Sequence, residues 1–261
     1  MKAKKYILRV LLGVLSVVFW IAVWWLVALK VDSPLLLPAP PAVFARFSAL
    51  VLTKGFWLTV SLSIGRVLLG LLVSIVLAIP LAVLTARLPL FSVLLRPVMT
   101  AVRATPVAAF IILLWLWVGV DDVPTIITVL IALPVVWKNV ETGILGIDQE
   151  LLEMSKSFRV PLIRRIMHLD IPSVLPAFRA SIQTVIGLGW KSGIAAEIIV
   201  RPVRAIGRAI SDAKYSLDYV DIFAWTLTVV LLSLLIEFLF TTLLSRVLKK
   251  DTKTARKEDT V

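Results

Sequence analysis

The chain contains a series of apolar runs that are each about as long as a bilayer is thick. A hydrocarbon core of about 30 Å requires roughly 20 apolar residues in helical form. A chain built from such runs has few other ways to fold, because every backbone polar group in lipid must be satisfied internally. The sequence therefore predicts an all-α, polytopic membrane protein with six transmembrane helices, at about residues 6–29, 67–86, 104–120, 123–140, 177–200 and 222–244.

Composition supports a single membrane domain. Of the 261 residues, 60% are hydrophobic and 17% are charged, and the mean hydropathy is +1.00, far above the range of soluble domains. No segment between the apolar runs is long enough to bury a core of its own. We expect one membrane domain over residues 1–250 and a disordered cytoplasmic tail over residues 251–261. Cysteine is absent, and the single histidine, His168, cannot form a metal site alone.

The basic residues indicate orientation rather than nucleic-acid binding. The net charge is +12, but most basic residues lie at the ends of the apolar runs, where they anchor spans and set topology. Six spans place both termini on one side, and the larger basic groups predict that this side is cytoplasmic. These groups are Lys2, Lys4, Lys5 and Arg9; Arg87, Arg96 and Arg103; Lys156, Arg159, Arg164 and Arg165; and Arg246, Lys249, Lys250, Lys253, Arg256 and Lys257.

One segment, ELLEMSKSFRVPLIRRIMHLDIPSVLP (Glu150 to Pro176), is too short and too charged to cross a bilayer. Its apolar residues recur at helical spacing on both sides of Pro161, which forces Val160 out of helical geometry. The segment therefore predicts two short amphipathic helices joined by a bend. The residues alone allow two interpretations: helices lying in the lipid headgroups, or a docking element for a cytoplasmic partner.

This segment resembles the EAA loop, here residues 147–172, of the permease subunits of bacterial ABC importers. Glu153 takes the Glu position of that motif, Met154 and Ser155 replace its two alanines, and Leu169 to Pro172 matches its closing Ile-x-Leu-Pro. Arg159 stands where the family has glycine, and a left-handed conformation there would cost an arginine about 1 kcal/mol or more. Either the turn differs in this chain or Arg159 has compensating contacts.

Four further stretches extend the resemblance to the permeases of the nitrate, sulfonate, taurine and bicarbonate importers. They are LLLPAPPAVFARF, SLSIGRVLLGLLVSIVLAIPLAVL, AVRATPVAAFIILLWLWVG and GLGWKSGIAAEII.

The resemblance implies a type I ABC importer permease fold in the bacterial cytoplasmic membrane, acting as a homodimer with two cytoplasmic ATPase subunits and an extracytoplasmic substrate-binding protein. It implies a non-catalytic subunit without a cofactor of its own, because the sequence has no G-x-x-x-x-G-K-[ST] loop; ATP and Mg²⁺ would be bound by the ATPase. The implied ATPase-coupling residues are Glu153, Met154, Ser155, Phe158, Arg159, Pro161, Leu162, Arg164, Arg165, Leu169, Ile171 and Pro172.

Charges inside the predicted spans are the candidates for a translocation path. Lys191, next to Trp190, and Glu197 lie in the fifth span, and charges at that depth normally face protein or a water-filled interior. They would line the path or form structural ion pairs with another span or a second subunit. Glu237, in the sixth span, is expected to be a structural partner. Arg66 fits an interfacial anchor as well as a functional cation.

On the outer side, Arg201, Arg204 and Arg208 follow helical spacing, with Ile206 and Ile210 behind them. This basic face would be either simply solvated or a docking site for the binding protein.

Two other classes of protein are weaker alternatives. A stand-alone secondary transporter would show broken helices in repeated halves. A membrane-embedded enzyme would have to use Lys191, Glu197 and Glu237, but no nucleophile and base pair or metal cluster accompanies them.

Overall fold

The chain is helical, with no strand among the residues that the structure describes. The computed structural model describes residues 2–33 and 35–258, and side chains over residues 11–33 and 35–242. The all-α prediction is confirmed. The helices are α1 (Lys2–Val31), α2 (Pro40–Val51), α3 (Lys54–Arg87), α4 (Pro89–Ala104), α5 (Val107–Trp117), α6 (Val123–Leu145), α7 (Gln149–Ser157), α8 (Leu162–Arg165), a π-helical turn (Ile166–Asp170), α9 (Ile171–Val200), α10 (Ile206–Tyr215) and α11 (Tyr219–Glu258).

Five of the described helices are long and apolar enough to cross a membrane, and the count becomes six if the bent pair α4 and α5 is one span. The five are α1, α3, α6, the continuous helix Leu162–Val200, and α11. The predicted third span, 104–120, corresponds to α5 but is longer than that helix. Helix α5 has only 11 residues, about 16 Å of length, and it is bent by 104° from α4. The break falls at Thr105, which Pro106 holds in extended geometry.

Helix α3 also departs from the prediction, because it begins at Lys54 rather than near residue 67. Its 34 residues span about 50 Å. The apolar run of the sequence begins only after Arg66, which therefore predicts a boundary of the span. In the structure Arg66 lies inside the helix, with its side chain 15% exposed and paired with Glu197.

Helix α6 is the centre of the bundle, since it packs along both α3 and α9. Small residues allow the close approach. A Cβ added to Gly70 of α3 would lie 2.6 Å from Thr128 Cβ of α6, and one added to Gly193 of α9 would lie 3.1 Å from Thr128 Oγ1. Such small residues are typical of helix contacts in membranes, where backbones approach closely.

Helix α2, which follows α1, packs against α11. The Arg46 side chain of α2 forms a bidentate ion pair with Asp221 at the start of α11. The backbone of α11 is helical to Glu258, which differs from the disorder expected for the tail, because Lys, Arg, Ala and Glu are strong helix formers. Residues 259–261, and the side chains of the terminal basic groups, lie outside the described part.

Candidate functional site

The amphipathic segment forms a helical hairpin between α6 and α9. Asp148 caps α7 by accepting a hydrogen bond from the backbone N–H of Glu150 at 2.9 Å. After the bend, α8 and the π-helical turn continue into α9 without interruption, so that one helix runs over Leu162–Val200. The predicted pair of short helices is confirmed, and the second of them is the beginning of a membrane-spanning helix.

The bend keeps the geometry that a glycine would adopt. Arg159 has a φ of +47°, its N–H donates to the Lys156 carbonyl at 2.9 Å, and the Val160 N–H donates to the Ser155 carbonyl at 2.9 Å. These two bonds define a Schellman motif with Arg159 in the left-handed position. The turn therefore does not differ from one built on glycine. The Arg159 side chain is exposed, and no hydrogen bond or ion pair of it is found within the described residues.

The hairpin carries a row of exposed apolar side chains, which we call the apolar crest. Phe158 and Ile163 are each 78% exposed, although side chains of this size are usually buried. Charged Glu153 and Arg164 flank the row. A contiguous apolar patch of this kind marks an interaction surface. The crest consists of Leu151, Met154, Phe158, Leu162, Ile163 and Met167.

The remaining residues of the resemblance-based site divide between exposed and buried positions. Pro161, Ile171 and Pro172 are exposed, whereas Ser155 is buried and its hydroxyl donates to the Leu152 carbonyl. Arg165 and Leu169 are half-buried.

The rear of the hairpin is held to α3 by an ion-pair bridge. Asp170 Oδ2 lies 3.8 Å from Arg87 Nη2, at the end of α3, and 3.6 Å from Arg165 Nη2. This bridge ties the π-helical turn to the bundle.

The three residues predicted to line the translocation path differ in their exposure. Lys191 has an exposed side chain, whereas Trp190 is 1% exposed and Glu197 is fully buried. The indole N–H of Trp190 donates to the Val229 carbonyl of α11 at 3.2 Å. Trp190 and Glu197 therefore have packing roles inside the subunit, and Lys191 alone of the three presents a charge on its surface. Glu237 of α11 is also exposed.

Glu197 is the centre of a polar cluster that joins α3, α9 and α10, and we call it the outer polar cluster after the orientation expected from the sequence. Its Oε2 accepts hydrogen bonds from the Ser63 hydroxyl at 2.8 Å and from the Gly207 N–H at 3.1 Å. Arg66 Nη1 lies 3.4 Å from Oε1. The Ser63 hydroxyl also accepts from the Ile206 N–H at 2.9 Å. A buried carboxylate is tolerated because each of its oxygens meets a donor.

Arg66 extends this cluster to the loop between α5 and α6. Its Nη2 donates to the Val203 carbonyl at 2.8 Å and lies 3.4 Å from Asp121 Oδ1, which accepts from the Val203 N–H at 2.9 Å. Arg66 is therefore a structural cation and not a free interfacial anchor.

The outer arginines do not form a helical stripe. Arg201 and Arg204 precede α10 and both have left-handed backbones, with φ of 55° and 51°. The physical reason is Pro202, which disfavours helical geometry at Arg201 and ends α9. Arg201 and Arg208 converge on Asp212, and the Arg201 guanidinium lies 4.7 Å from the centre of the Tyr215 ring.

A second buried carboxylate, near the C-terminal end of α6, was not identified from the sequence. Glu141 is fully buried, with Lys138 Nζ at 2.8 Å and Arg96 Nη2 at 3.8 Å. The i, i+3 spacing of Lys138 and Glu141, directly after an apolar run, is the sequence signal that could have identified this group.

The sequence of the chain is similar to those of known transport permeases. The chain is 25% identical over 234 residues to the taurine transport system permease protein TauC of Escherichia coli, covering 87% of this chain and 84% of that protein. It is 30% identical over 199 residues to the putative aliphatic sulfonates transport permease protein SsuC of Escherichia coli, covering 75% of each. It is 26% identical to the glycine betaine/proline betaine transport system permease protein ProW of the same organism, covering 59% of this chain and 46% of that protein.

The family described as "Binding-protein-dependent transport system inner membrane component" matches residues 74–252, more than half of the chain. The matched region runs from the middle of α3 into α11 and contains the hairpin, Lys191 and Glu197, whereas Ser63 and Arg66 of the outer polar cluster precede it. The chain therefore belongs to this family of ABC transporter permeases, as a multi-pass inner-membrane protein.

Proposed function

We propose that this permease subunit forms the translocation path for a small organic anion of the sulfonate type, and that it couples to a separate ATPase through the apolar crest. Family membership implies an ATPase and a binding protein as partners, and a role in transport rather than catalysis. The relatives named for taurine and aliphatic sulfonates support the solute class. ATP and Mg²⁺ are bound by the ATPase subunits, since this chain lacks a phosphate-binding loop.

The exposure of the crest is the single observation that carries the coupling assignment. The exposed apolar side chains of Phe158 and Ile163 are unfavourable in water. Amphipathic helices usually bury such side chains in a hydrophobic groove of a partner protein. Glu153 and Arg164 supply charges beside the apolar contact. Because α8, the π-helical turn and α9 are one continuous helix, a displacement of the crest moves α9. ATP-driven closure of the ATPases would thus reorient the spans as rigid bodies.

Lys191 is the proposed contact with the solute. An ammonium exposed to lipid in the middle of a span is expensive, so this face of α9 is expected to border water or a second subunit. We propose that two copies of the chain form the path as a homodimer, with both termini cytoplasmic and the crests on the same side. On the outer side, Arg204 is exposed and is the proposed charge for binding-protein docking, while Arg201 and Arg208 are engaged by Asp212.

The proposed function is tested by purifying the chain with its ATPase and binding protein. We expect the ATPase to co-purify with the chain, and uptake of a sulfonate into vesicles to require ATP and the binding protein. Uptake that proceeds without ATP, driven by an ion gradient, would identify a secondary transporter and refute the proposal.

Arg159→Gly is expected to retain coupled ATPase activity and to be more stable than Arg159→Ala. Both substitutions remove the guanidinium, but alanine keeps the left-handed strain, which is about 1 kcal/mol. Thermal unfolding of both variants in detergent measures the difference, and ATP-dependent uptake measures coupling. Loss of coupling in both variants would show that the guanidinium itself makes the contact with the ATPase.

Lys191→Gln is expected to lower uptake of an anionic solute by about 10- to 100-fold. A hydrogen bond to a charged group contributes about 1.5–3 kcal/mol, and each 1.4 kcal/mol corresponds to about tenfold. Lys191→Arg, which keeps the charge, is the matched control and should retain most of the uptake. Equal uptake by the Gln variant and the unmodified chain would remove Lys191 from the path.

A further inference from the structure

A cavity of about 560 Å³ lies behind the hairpin, between α3, α6 and the first turns of α9. Its lining is apolar apart from Arg87 and Asp170. None of the roles proposed above uses this cavity, and it lies on the side of the π-helical turn that faces the bundle.

The polar and apolar parts of the cavity are ordered along the direction of the spans. Arg87 is the last residue of α3, and the lining residues Val83 and Ile79 precede it by one and two helical turns, about 6 and 12 Å. On α9, Val174 and Phe178 lie at the same spacing beyond Asp170. The cavity therefore has charges at one end and apolar walls that extend into the membrane. This is the shape of a site for an amphiphile.

The charged rim has hydrogen-bonding capacity left over. Asp170 Oδ1 and Arg165 Nε are buried and have no hydrogen-bond partner among the described residues. The ion pairs of Asp170 with Arg87 and Arg165, at 3.8 Å and 3.6 Å, are longer than a direct charge-assisted hydrogen bond of about 2.8 Å. The lining residues Arg87 and Asp170, together with Arg165, which is paired with Asp170 beside the cavity, thus offer guanidinium donors next to a carboxylate acceptor. A ligand that carries a phosphate next to an ammonium group would satisfy both.

We propose that the cavity binds a phospholipid with a primary-amine headgroup. One acyl chain fills the apolar depth, the phosphate accepts hydrogen bonds from Arg87 and Arg165, and the ammonium group donates to Asp170. Guanidinium groups favour phosphate because their planar donors match its oxygens. A lipid fits better than a protein segment because the open, apolar part of the cavity lies between spans, where acyl chains are the surrounding solvent. The bound lipid would support the π-helical turn from behind.

The test measures phospholipid retained by the full-length chain. The chain is purified in detergent from vesicles that contain equal amounts of phosphatidylethanolamine and phosphatidylcholine, and the bound lipid is counted by native mass spectrometry. We expect about one phosphatidylethanolamine per chain, retained at least tenfold over phosphatidylcholine, whose quaternary ammonium has no N–H to donate to Asp170. Equal retention of the two lipids, or retention of neither, would overturn the proposal.

A pair of matched variants locates the lipid. Val83→Trp fills the cavity and is expected to lower retention at least tenfold. Val76→Trp places the same side chain on the same helix at a position that is 61% exposed and outside the cavity, and it should leave retention unchanged. Equal retention by both variants, or a second protein chain crosslinked across the cavity in place of lipid, would also overturn the proposal.

Discussion

Replacing Gly207 with alanine is expected to destabilise the chain strongly and to abolish transport. A Cβ at this position would lie 2.4 Å from Glu197 Cβ and 2.4 Å from the backbone nitrogen of Ile198. A clash with backbone cannot be relieved by a side-chain rotation, so α10 must move away from α9. The movement breaks the hydrogen bonds of Gly207 and Ile206 with the outer polar cluster. Overpacking costs about 1–3 kcal/mol, and weakening the partners of buried Glu197 adds to this cost.

The measurement is the thermal unfolding midpoint in detergent together with ATP-dependent uptake. Gly65→Ala is the matched control, because no atom lies within 4 Å of its added Cβ and alanine is a better helix former than glycine by about 1 kcal/mol. The control should unfold at or above the temperature of the unmodified chain. If Gly207→Ala behaved like Gly65→Ala, the close contact between α9 and α10 would not exist in the membrane.

Features with a local cause could be predicted from the sequence. The length of the apolar runs identified helices α1, α6, α9 and α11, because a helix in lipid satisfies its backbone within the segment itself. The hairpin was predicted for a similar reason, since Pro161 and the helical spacing around it lie within about 20 residues. The resemblance identified Arg159 as the residue at the position of the family's glycine, but it left open whether the turn differs there, which the φ of +47° now answers.

Features that depend on distant contacts could not be predicted. Arg66 was read as the end of a span because its partners, Glu197 and Asp121, are far away in the sequence. In the sequence, Lys191 and Glu197 are both charged residues of the same predicted span. They are six residues apart, so they point about 120° away from each other, and only the surrounding helices decide which one is buried.

One error was local and could have been avoided. Pro202 restricts the residue before it, and this rule, applied at Arg201, removes the predicted basic stripe. The basic periodicity was given more weight than the proline that interrupts it.

Phe158→Asp is expected to weaken binding of the ATPase by about 30- to 1,000-fold and to abolish ATP-driven uptake. Phe158 is 78% exposed and lies at the end of α7, so its removal takes little buried area from the subunit itself. In the proposed complex it enters a groove, and a central aromatic anchor of this kind contributes about 2–4 kcal/mol to binding, with each 1.4 kcal/mol equal to about tenfold. The introduced carboxylate would also be desolvated there without a partner.

Ser157→Asp is the control that separates the lost aromatic ring from the added charge. Ser157 is the last residue of α7, and its side chain is exposed, so the variant carries the same new carboxylate one residue away and keeps Phe158. Binding of the purified ATPase to each variant in nanodiscs gives the affinity, and thermal unfolding of the isolated subunit should be the same for both variants. A similar loss in both would assign the effect to charge at the bend. Unchanged affinity in Phe158→Asp would mean that the crest faces lipid headgroups, because an anchor that is buried against a protein cannot be replaced by a carboxylate without loss.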